Sequence, residues 1–294
     1  MTTLPLQKTF VDSYGVEITY FEWPVAAPKA VVQLVHGVGE HVRRYDHVAA
    51  ALNRAGYSVY GDDHRGHGVT GQNMVKSGLT NKLGRLGAGG MDGVFAQVGE
   101  LGDIIRRENP GLPVLLVGHS FGSYISQKII NKRSGDYAAM ALSGSSLVIP
   151  GYMVTSGFNK KWADTPNASG NEWLSRDHSV GQAFNADPLC FPFVGIDPGA
   201  LKDGAPKIFG IPSRKVRADL PILLLVGGED PCGGERGVKA LADSYRKRAK
   251  VSDISIVVYH GARHEVYNET NQTEVIADLV SWLDGVVSPE ASKA

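Results

Sequence analysis

Short apolar runs alternate with longer amphipathic stretches along most of the chain, which predicts strands followed by helices. The first segment differs, because two runs of period-two alternation flank the turn at 13–15 and predict a β-hairpin. The later alternation is typical of a mostly parallel sheet with helices on both faces. The predicted strands are 8–11, 17–23, 31–35, 58–60, 113–117, 138–143, 221–226 and 254–259, and the predicted helices are 45–55, 94–107, 121–131, 237–247 and 274–287.

The alternation stops between residues 147 and 213. This segment is rich in Gly, Pro and aromatic residues that follow no clean strand period. We interpret it as a cap inserted over the sheet. The expected organisation is therefore a core in two parts, 1–146 and 214–294, interrupted by a cap at 147–213. The aromatic residues of the cap fit both a packed core and an apolar wall around a ligand.

Composition and charge exclude several functional classes. The chain has 294 residues, 43% hydrophobic and 20% charged, which suffices to bury a core without disulfide bonds. The 30 Lys and Arg residues balance 30 Asp and Glu residues, so no net field would attract nucleic acid or an anionic membrane. The two cysteines, Cys190 and Cys232, fit a reducing compartment. No secretory signal pattern and no membrane-spanning apolar run is visible, so the expected location is cytoplasmic.

The clearest chemical signal is Gly118-His119-Ser120-Phe121-Gly122, a G-x-S-x-G pattern between a predicted strand and a predicted helix. A tight strand-to-helix turn strains the backbone of the serine and exposes its hydroxyl, while the glycines leave room for the turn. The following helix N-terminus directs N–H groups towards a developing oxyanion. Ser120 is therefore the candidate nucleophile, and an accidental Gly-Ser-Gly turn is the alternative.

Two further residues would complete a catalytic triad with Ser120. His264 follows the predicted strand 254–259, at the sheet edge where α/β enzymes place their active sites, and is the candidate general base. Asp230 follows the strand 221–226 and would orient the histidine and stabilise its imidazolium form. Glu229 is the rival acid. The chain order Ser120, Asp230, His264 is typical of α/β hydrolases.

The loop after the strand 31–35 is rich in glycine, which lets its backbone approach a substrate closely. We predict that the backbone N–H groups of Val38 and Phe121 form the oxyanion hole. The polar segment 62–68 has the residue types of a metal site, but its spacing does not match a zinc pattern such as H-E-x-x-H. We interpret it as a structural turn. The predicted chemistry needs no metal and no cofactor.

The sequence resembles the monoacylglycerol lipase and lysophospholipase-like branch of the α/β-hydrolase superfamily, from about residue 31 to residue 283. The string H-G-x-G-E-H-x-x-R-Y at 36–45 is the most specific part, and the segments 63–68, 118–122 and 261–265 also match. The resemblance implies an α/β-hydrolase fold and hydrolysis of carboxylic esters of acyl chains through an acyl-enzyme. It further implies that Glu40, Arg44 and His119 line or support the polar, substrate-binding end of the site. Phe121 and Ser123 depart from the family, where methionine and glycine are common.

Other reactions on the same triad remain open, namely those of a thioesterase, a C–C hydrolase or a peptidase. Epoxide hydrolase and dehalogenase chemistry is disfavoured because those branches use an aspartate where this chain has Ser120. The alternative from another class is a non-catalytic protein that binds a small apolar ligand on a hydrolase scaffold. The expected partner is a small acyl ester. The apolar residues of the cap would also allow transient contact with lipid, and the sequence does not predict an oligomeric state.

Overall fold

The computed structural model describes residues 4–154, 156–193 and 198–288. Within these residues, eight strands form one sheet. Its strands are β1 (Leu6–Val11), β2 (Glu17–Trp23), β3 (Ala30–Val35), β4 (Tyr57–Asp62), β5 (Val114–His119), β6 (Ala139–Ser143), β7 (Ile222–Gly227) and β8 (Ile254–Tyr259). Their order across the sheet is β1-β2-β4-β3-β5-β6-β7-β8. β2 pairs antiparallel with β1 and β4, and all other neighbours are parallel. The predicted hairpin and mostly parallel sheet are confirmed.

Eight α-helices connect and flank these strands in the described part of the chain. They are α1 (Asp46–Arg54), α2 (Gly68–Lys76), α3 (Gly90–Glu108), α4 (Phe121–Arg133), α5 (His178–Ala186), α6 (Pro198–Lys202), α7 (Gly234–Ala249) and α8 (Gln272–Val287). The five predicted helices are present with ends that differ by up to four residues. The sequence patterns missed α2, α5 and α6. No helix of the described residues has the length and apolar character needed to cross a membrane.

Two apolar cores lie on opposite faces of the sheet because side chains alternate along each strand. On β5, Val114 and Leu116 belong to the core that α3, α4 and α7 cover. Leu115 and Val117 belong to the core that α1 and α8 cover. β5 is buried on both faces, which explains its continuous apolar run.

The stretch between β6 and β7, which we call the connecting segment (residues 144–221), contains α5 and α6. Its backbone is bonded to loops that follow two other strands. The Phe191 N–H donates to the Gly39 carbonyl after β3 (2.8 Å). The Trp173 carbonyl accepts from the His264 N–H after β8 (3.2 Å). The connecting segment therefore lies against the carboxyl ends of the strands, where the candidate catalytic residues are found.

Candidate active site

Ser120 occupies a sharp turn between β5 and α4. Its φ of 51° lies in the left-handed region, which a non-glycine residue adopts only at a cost of about 1–3 kcal/mol. Its N–H donates to the Ser143 carbonyl at the end of β6 (2.9 Å), which helps to hold the turn. Gly122 permits the close approach of α4 to β3, because a Cβ there would lie 2.0 Å from the Val35 carbonyl oxygen. The local sequence thus leaves the serine side chain half-buried at the carboxyl edge of the sheet.

The structure brings Ser120, His264 and Asp230 together in one hydrogen-bonded chain. The Ser120 Oγ lies 2.8 Å from His264 Nε2, and His264 Nδ1 lies 2.9 Å from Asp230 Oδ1. The Cys232 N–H also donates to Asp230 Oδ1 (2.8 Å), which fixes the carboxylate. Asp230 and His264 are 6% and 1% exposed. The rival acid, Glu229, has a 42% exposed side chain that pairs with Lys161 instead of the histidine.

Electrostatics favour an ion pair between the histidine and the aspartate. Burial disfavours the Asp230 carboxylate, but the charge and hydrogen bond of His264 outweigh burial and hold the pKa of Asp230 below its usual value. Burial also disfavours the His264 imidazolium, yet the Asp230 carboxylate more than compensates and raises the pKa of His264 well above 6.5. Burial and the nearby His264 lower the pKa of His119 to about 3, so His119 is neutral.

The two predicted oxyanion donors, Val38 and Phe121, flank Ser120 in one cavity. Phe121 is the first residue of α4, so its N–H has no acceptor within the helix. Neither N–H donates to a backbone carbonyl among the described residues. The oxyanion hole formed by these two N–H groups stays a prediction, which these observations support.

Glu40 and Arg44 form a buried network behind the loop that carries Val38. Glu40 Oε1 accepts from the Gly37 N–H (2.6 Å) and the Tyr45 hydroxyl (2.7 Å), and Glu40 Oε2 pairs with Arg44 (2.5 Å). Arg44 also donates to both oxygens of Glu265, at 2.7 and 2.8 Å. This network joins the loop after β3 to the residue next to His264. Substrate binding by Glu40 and Arg44 stays a prediction, because these contacts also serve to position the two loops.

Side chains of the polar segment 62–68, at the end of β4 and just after it, form hydrogen bonds within the protein. His64 Nδ1 lies 2.8 Å from Asp62 Oδ2, and its ring stacks on His36 with centroids 3.8 Å apart. The Asp63 carboxylate accepts from the N–H groups of Val42 (3.0 Å) and Val69 (2.7 Å). These bonds agree with the interpretation of this segment as a structural turn.

Two cavities meet at Ser120. The apolar cavity, of about 230 Å³, is lined largely by hydrophobic side chains that include Met91, Tyr124, Met153, Phe191 and Ile208. The second cavity, of about 320 Å³, has a larger polar share, although apolar groups still make up most of its lining, and we call it the polar cavity. Its polar lining residues include Glu40, His119, Asn159, Asn171, His264 and Glu265. Both cavities share Val38, Ser120, Phe158, Trp173, Pro192 and Phe193. His119 lines the polar cavity, and its part in substrate binding stays a prediction.

Sequence reasoning missed several residues that surround the triad. The Trp173 ring lies 4.9 Å from the His264 ring, and Phe191 lies 5.0 Å from the ring of His67. Glu265 completes the network with Arg44. Trp173 and Phe191 belong to the connecting segment, whose sequence carries no motif, so only the fold reveals their position. The proximity of Glu265 to His264 in the chain is the one signal that was available.

The sheet topology and the serine turn define the class: this is an α/β hydrolase. A family model described as "Serine aminopeptidase, S33" matches residues 26–271. The chain belongs to that family, and the expected family relationship is confirmed.

Similar proteins place the chain among esterases and lipases of this family. It is 32% identical over 291 residues to a monoacylglycerol lipase of Mycolicibacterium smegmatis, covering 94% of this chain and 96% of the relative. It is 31% identical over 282 residues to the monoglyceride lipase of Homo sapiens, covering 88% and 84%. The structure also resembles a thermostable carboxyl esterase from Bacillus coagulans, with a TM-score of 0.84, 25% identity and coverage of 97% and 100%. The protein is thus a serine hydrolase of the esterase and lipase type.

Proposed function

We propose that the protein hydrolyses carboxylic esters of acyl chains, monoacylglycerols among them, through an acyl-enzyme on Ser120. The observation that carries this proposal is the position of Ser120. Its hydroxyl is bonded to His264 and lies where the apolar cavity meets the polar cavity. An ester of this kind likewise has an apolar acyl chain on one side of its carbonyl group and a polar alcohol on the other.

The geometry supports a two-stage acyl transfer. In the active form His264 is neutral, its Nδ1–H donates to Asp230, and the Ser120 hydroxyl donates to Nε2. His264 takes the proton as Ser120 Oγ attacks the ester carbonyl, and the N–H groups of Val38 and Phe121 stabilise the oxyanion. The imidazolium then protonates the leaving alcohol. Water, activated by His264 in the same way, releases the acid and restores Ser120.

We further propose that residues 147–213 form the cap over this site. In this arrangement the acyl chain lies in the apolar cavity and the alcohol lies in the polar cavity. The indole of Trp173 and the ring of Phe158 line both cavities, so they would bracket the ester itself. A cytoplasmic location remains part of the proposal, because it is consistent with two unpaired cysteines.

The aminopeptidase reaction in the family description is the second candidate, and the polar cavity argues against it. A substrate amine would need a carboxylate that is free to bind it. The two carboxylates among the described lining residues are Glu40 and Glu265, and both already pair with Arg44. We therefore rank ester hydrolysis first.

The test is hydrolysis of 4-nitrophenyl esters and 1-monoacylglycerols of graded chain length, with aminoacyl arylamides beside them. The Ser120→Ala variant is the blank, and its kcat should fall by about 10⁶-fold. Turnover of medium- or long-chain monoacylglycerols by the wild type alone would support the proposal. Turnover of arylamides without esters would reverse the ranking, and ester turnover retained by Ser120→Ala would remove Ser120 from the mechanism.

A further inference from the structure

A second cluster of reactive side chains lies beside the loop that carries Val38. His41 ends this loop, while Asp187 and Cys190 follow α5 in the connecting segment. One nitrogen of His41, one carboxylate oxygen of Asp187 and the Cys190 sulfur all lie within 4.8 Å of one another. His41 Nε2 and Asp187 Oδ2 are 2.8 Å apart. Two segments that are distant in sequence thus bring three typical metal ligands to one place.

The chemical state of these groups suits a metal ion. Cys190 is a free cysteine. The His41 side chain is only 8% exposed, and its Nε2, which faces Asp187, is the ring nitrogen placed to bind an ion. The Asp187 side chain is 30% exposed, which leaves a route to solvent. Asp187 Oδ1 also accepts from the Leu189 N–H (2.8 Å), and such a contact orients a ligating carboxylate.

The surrounding charge does not oppose a cation. Arg44 is the nearby positive group, but Glu40 and Glu265 both pair with it. These three side chains together carry one negative charge when all are ionised. Asp187 adds one more negative charge before binding, and Cys190 adds another once the ion displaces its thiol proton, so a divalent ion would occupy a site of complementary charge.

We propose that His41, Asp187 and Cys190 bind a divalent transition-metal ion, with Zn²⁺ as the first choice. Nitrogen, sulfur and carboxylate ligands are those that Zn²⁺ prefers, and three protein ligands leave a fourth tetrahedral position for water. Binding would displace the Cys190 thiol proton to solvent as the sulfur–metal bond forms. The ion lies outside the proposed ester chemistry. It would fasten the connecting segment to the loop after β3, close to the bond between Phe191 and Gly39 (2.8 Å).

Cobalt spectroscopy on the full-length protein tests this site without measuring activity. The reduced, chelator-treated wild type is titrated with Co²⁺, and a thiolate-to-cobalt charge-transfer band in the near ultraviolet should saturate at one equivalent. Cys190→Ser should abolish the band. Cys232→Ser is the matched control, because Cys232 lies in the other His-Asp-Cys cluster, with Asp230 and His264. The band should persist in that variant.

Thermal unfolding with Zn²⁺ gives an independent measurement. A hundredfold excess over Kd should raise the Tm of the wild type by about 5 °C, and Asp187→Asn should reduce this shift. Asp187→Asn keeps the thiol and thus also serves if Cys190→Ser fails to fold. A band lost in Cys232→Ser but kept in Cys190→Ser would move the metal to the triad and overturn the proposal. A wild type with neither a band nor a Tm shift would also overturn it.

Discussion

At the scale of single residues, the site depends on a serine held in an unfavourable conformation. Ser120 is one of three non-glycine residues with positive φ in the described chain, beside Asn167 and Lys250. The hydrogen bond to Ser143 and the start of α4 hold its backbone in place. Contacts in the surrounding fold therefore compensate for the unfavourable φ. In the proposed mechanism, the hydroxyl therefore needs no large rearrangement before it attacks a bound ester.

The acid of the triad can be identified by a matched pair of substitutions. We expect Asp230→Asn to lower kcat by about 10⁴-fold, because the histidine would lose the group that fixes its tautomer and stabilises its charge. Glu229→Gln alters the neighbouring carboxylate, which is exposed and pairs with Lys161, and should leave kcat near the wild-type value. Steady-state kinetics on a 4-nitrophenyl ester measure both. If kcat fell as much in Glu229→Gln as in Asp230→Asn, Glu229 would also act in catalysis.

The pH dependence of kcat/KM should reveal how Asp230 changes the pKa of His264. The base acts only when it is unprotonated, so a raised pKa shifts the acid limb of kcat/KM upward, to a midpoint above 6.5. Removing the carboxylate in Asp230→Asn destabilises the imidazolium and should move this midpoint to lower pH. The residual activity of the variant on an activated ester is sufficient for the measurement. Identical midpoints in the two proteins would show that Asp230 does not act on the histidine.

Ser120, Asp230 and His264 were predictable as candidates because each follows an apolar strand and their chain order is that of the fold class. The chain order did not reveal Glu265 or Trp173. The bond from Arg44 to Glu265 spans 221 residues, and such a contact has no periodic signal. Tertiary packing alone decides that Asp230, and not Glu229, reaches the histidine.

At the scale of elements, the start of α4 packs closely against the end of β3, next to the serine turn. A methyl group on Gly122 would meet the carbonyl oxygens of Val35 and His36 at 2.0 and 2.4 Å, and backbone cannot move aside cheaply. We expect Gly122→Ala to lower the free energy of unfolding by about 3 kcal/mol. Urea denaturation followed by circular dichroism measures the change.

Gly135→Ala is the matched control for this prediction. A Cβ at Gly135 would meet nothing within 4 Å, so its effect on unfolding should be within about 0.5 kcal/mol. Equal stability of Gly122→Ala and the wild type would mean that the helix can shift away from β3 without cost, against the close contact described above.

The helices that sequence patterns missed bury few large apolar side chains. The buried positions of α2 are Gly68, Thr70, Gly71 and Met74, three of which are small residues with little hydrophobic signal. α5 has nine residues and buries only Gly181 and Phe184. Its start is marked by Asp177, whose side chain accepts from the Ser179 N–H (2.9 Å), but one capping residue does not distinguish a helix from a turn. With so few large apolar side chains buried, these helices give no clear hydrophobic period in the sequence.

At the scale of the whole molecule, the two-sided sheet was predictable because its strands are continuous apolar runs between helices. The connecting segment was recognisable only as a break in this pattern. Its path depends on contacts with loops from both halves of the core, such as that of Phe191 with Gly39, and no local sequence rule encodes them.

We expect any contact with lipid to be made by the proposed cap. Val154 and Leu201 are 46% and 54% exposed, and Val154 itself lines the apolar cavity. We expect the double variant Val154→Asp/Leu201→Asp to co-sediment with neutral liposomes several-fold less than the wild type does. The reason is that the new charges oppose insertion of this exposed surface into the bilayer. Leu6→Asp is the control, since Leu6 is 50% exposed on the edge strand β1. Equal sedimentation of all three proteins would place any lipid contact elsewhere.

The attachment of the connecting segment to the loop after β8 has a consequence for hydrogen exchange. The amide protons of His264 and Glu265 are donated to the carbonyls of Trp173 and Leu174, at 3.2 and 2.7 Å. Any opening that lifts residues 173–174 from the core must expose these two amides to solvent, and a closed segment must protect them. The rate of deuterium uptake at the His264 amide thus reports how often the segment above it opens, and a ligand that holds this segment closed would slow that uptake.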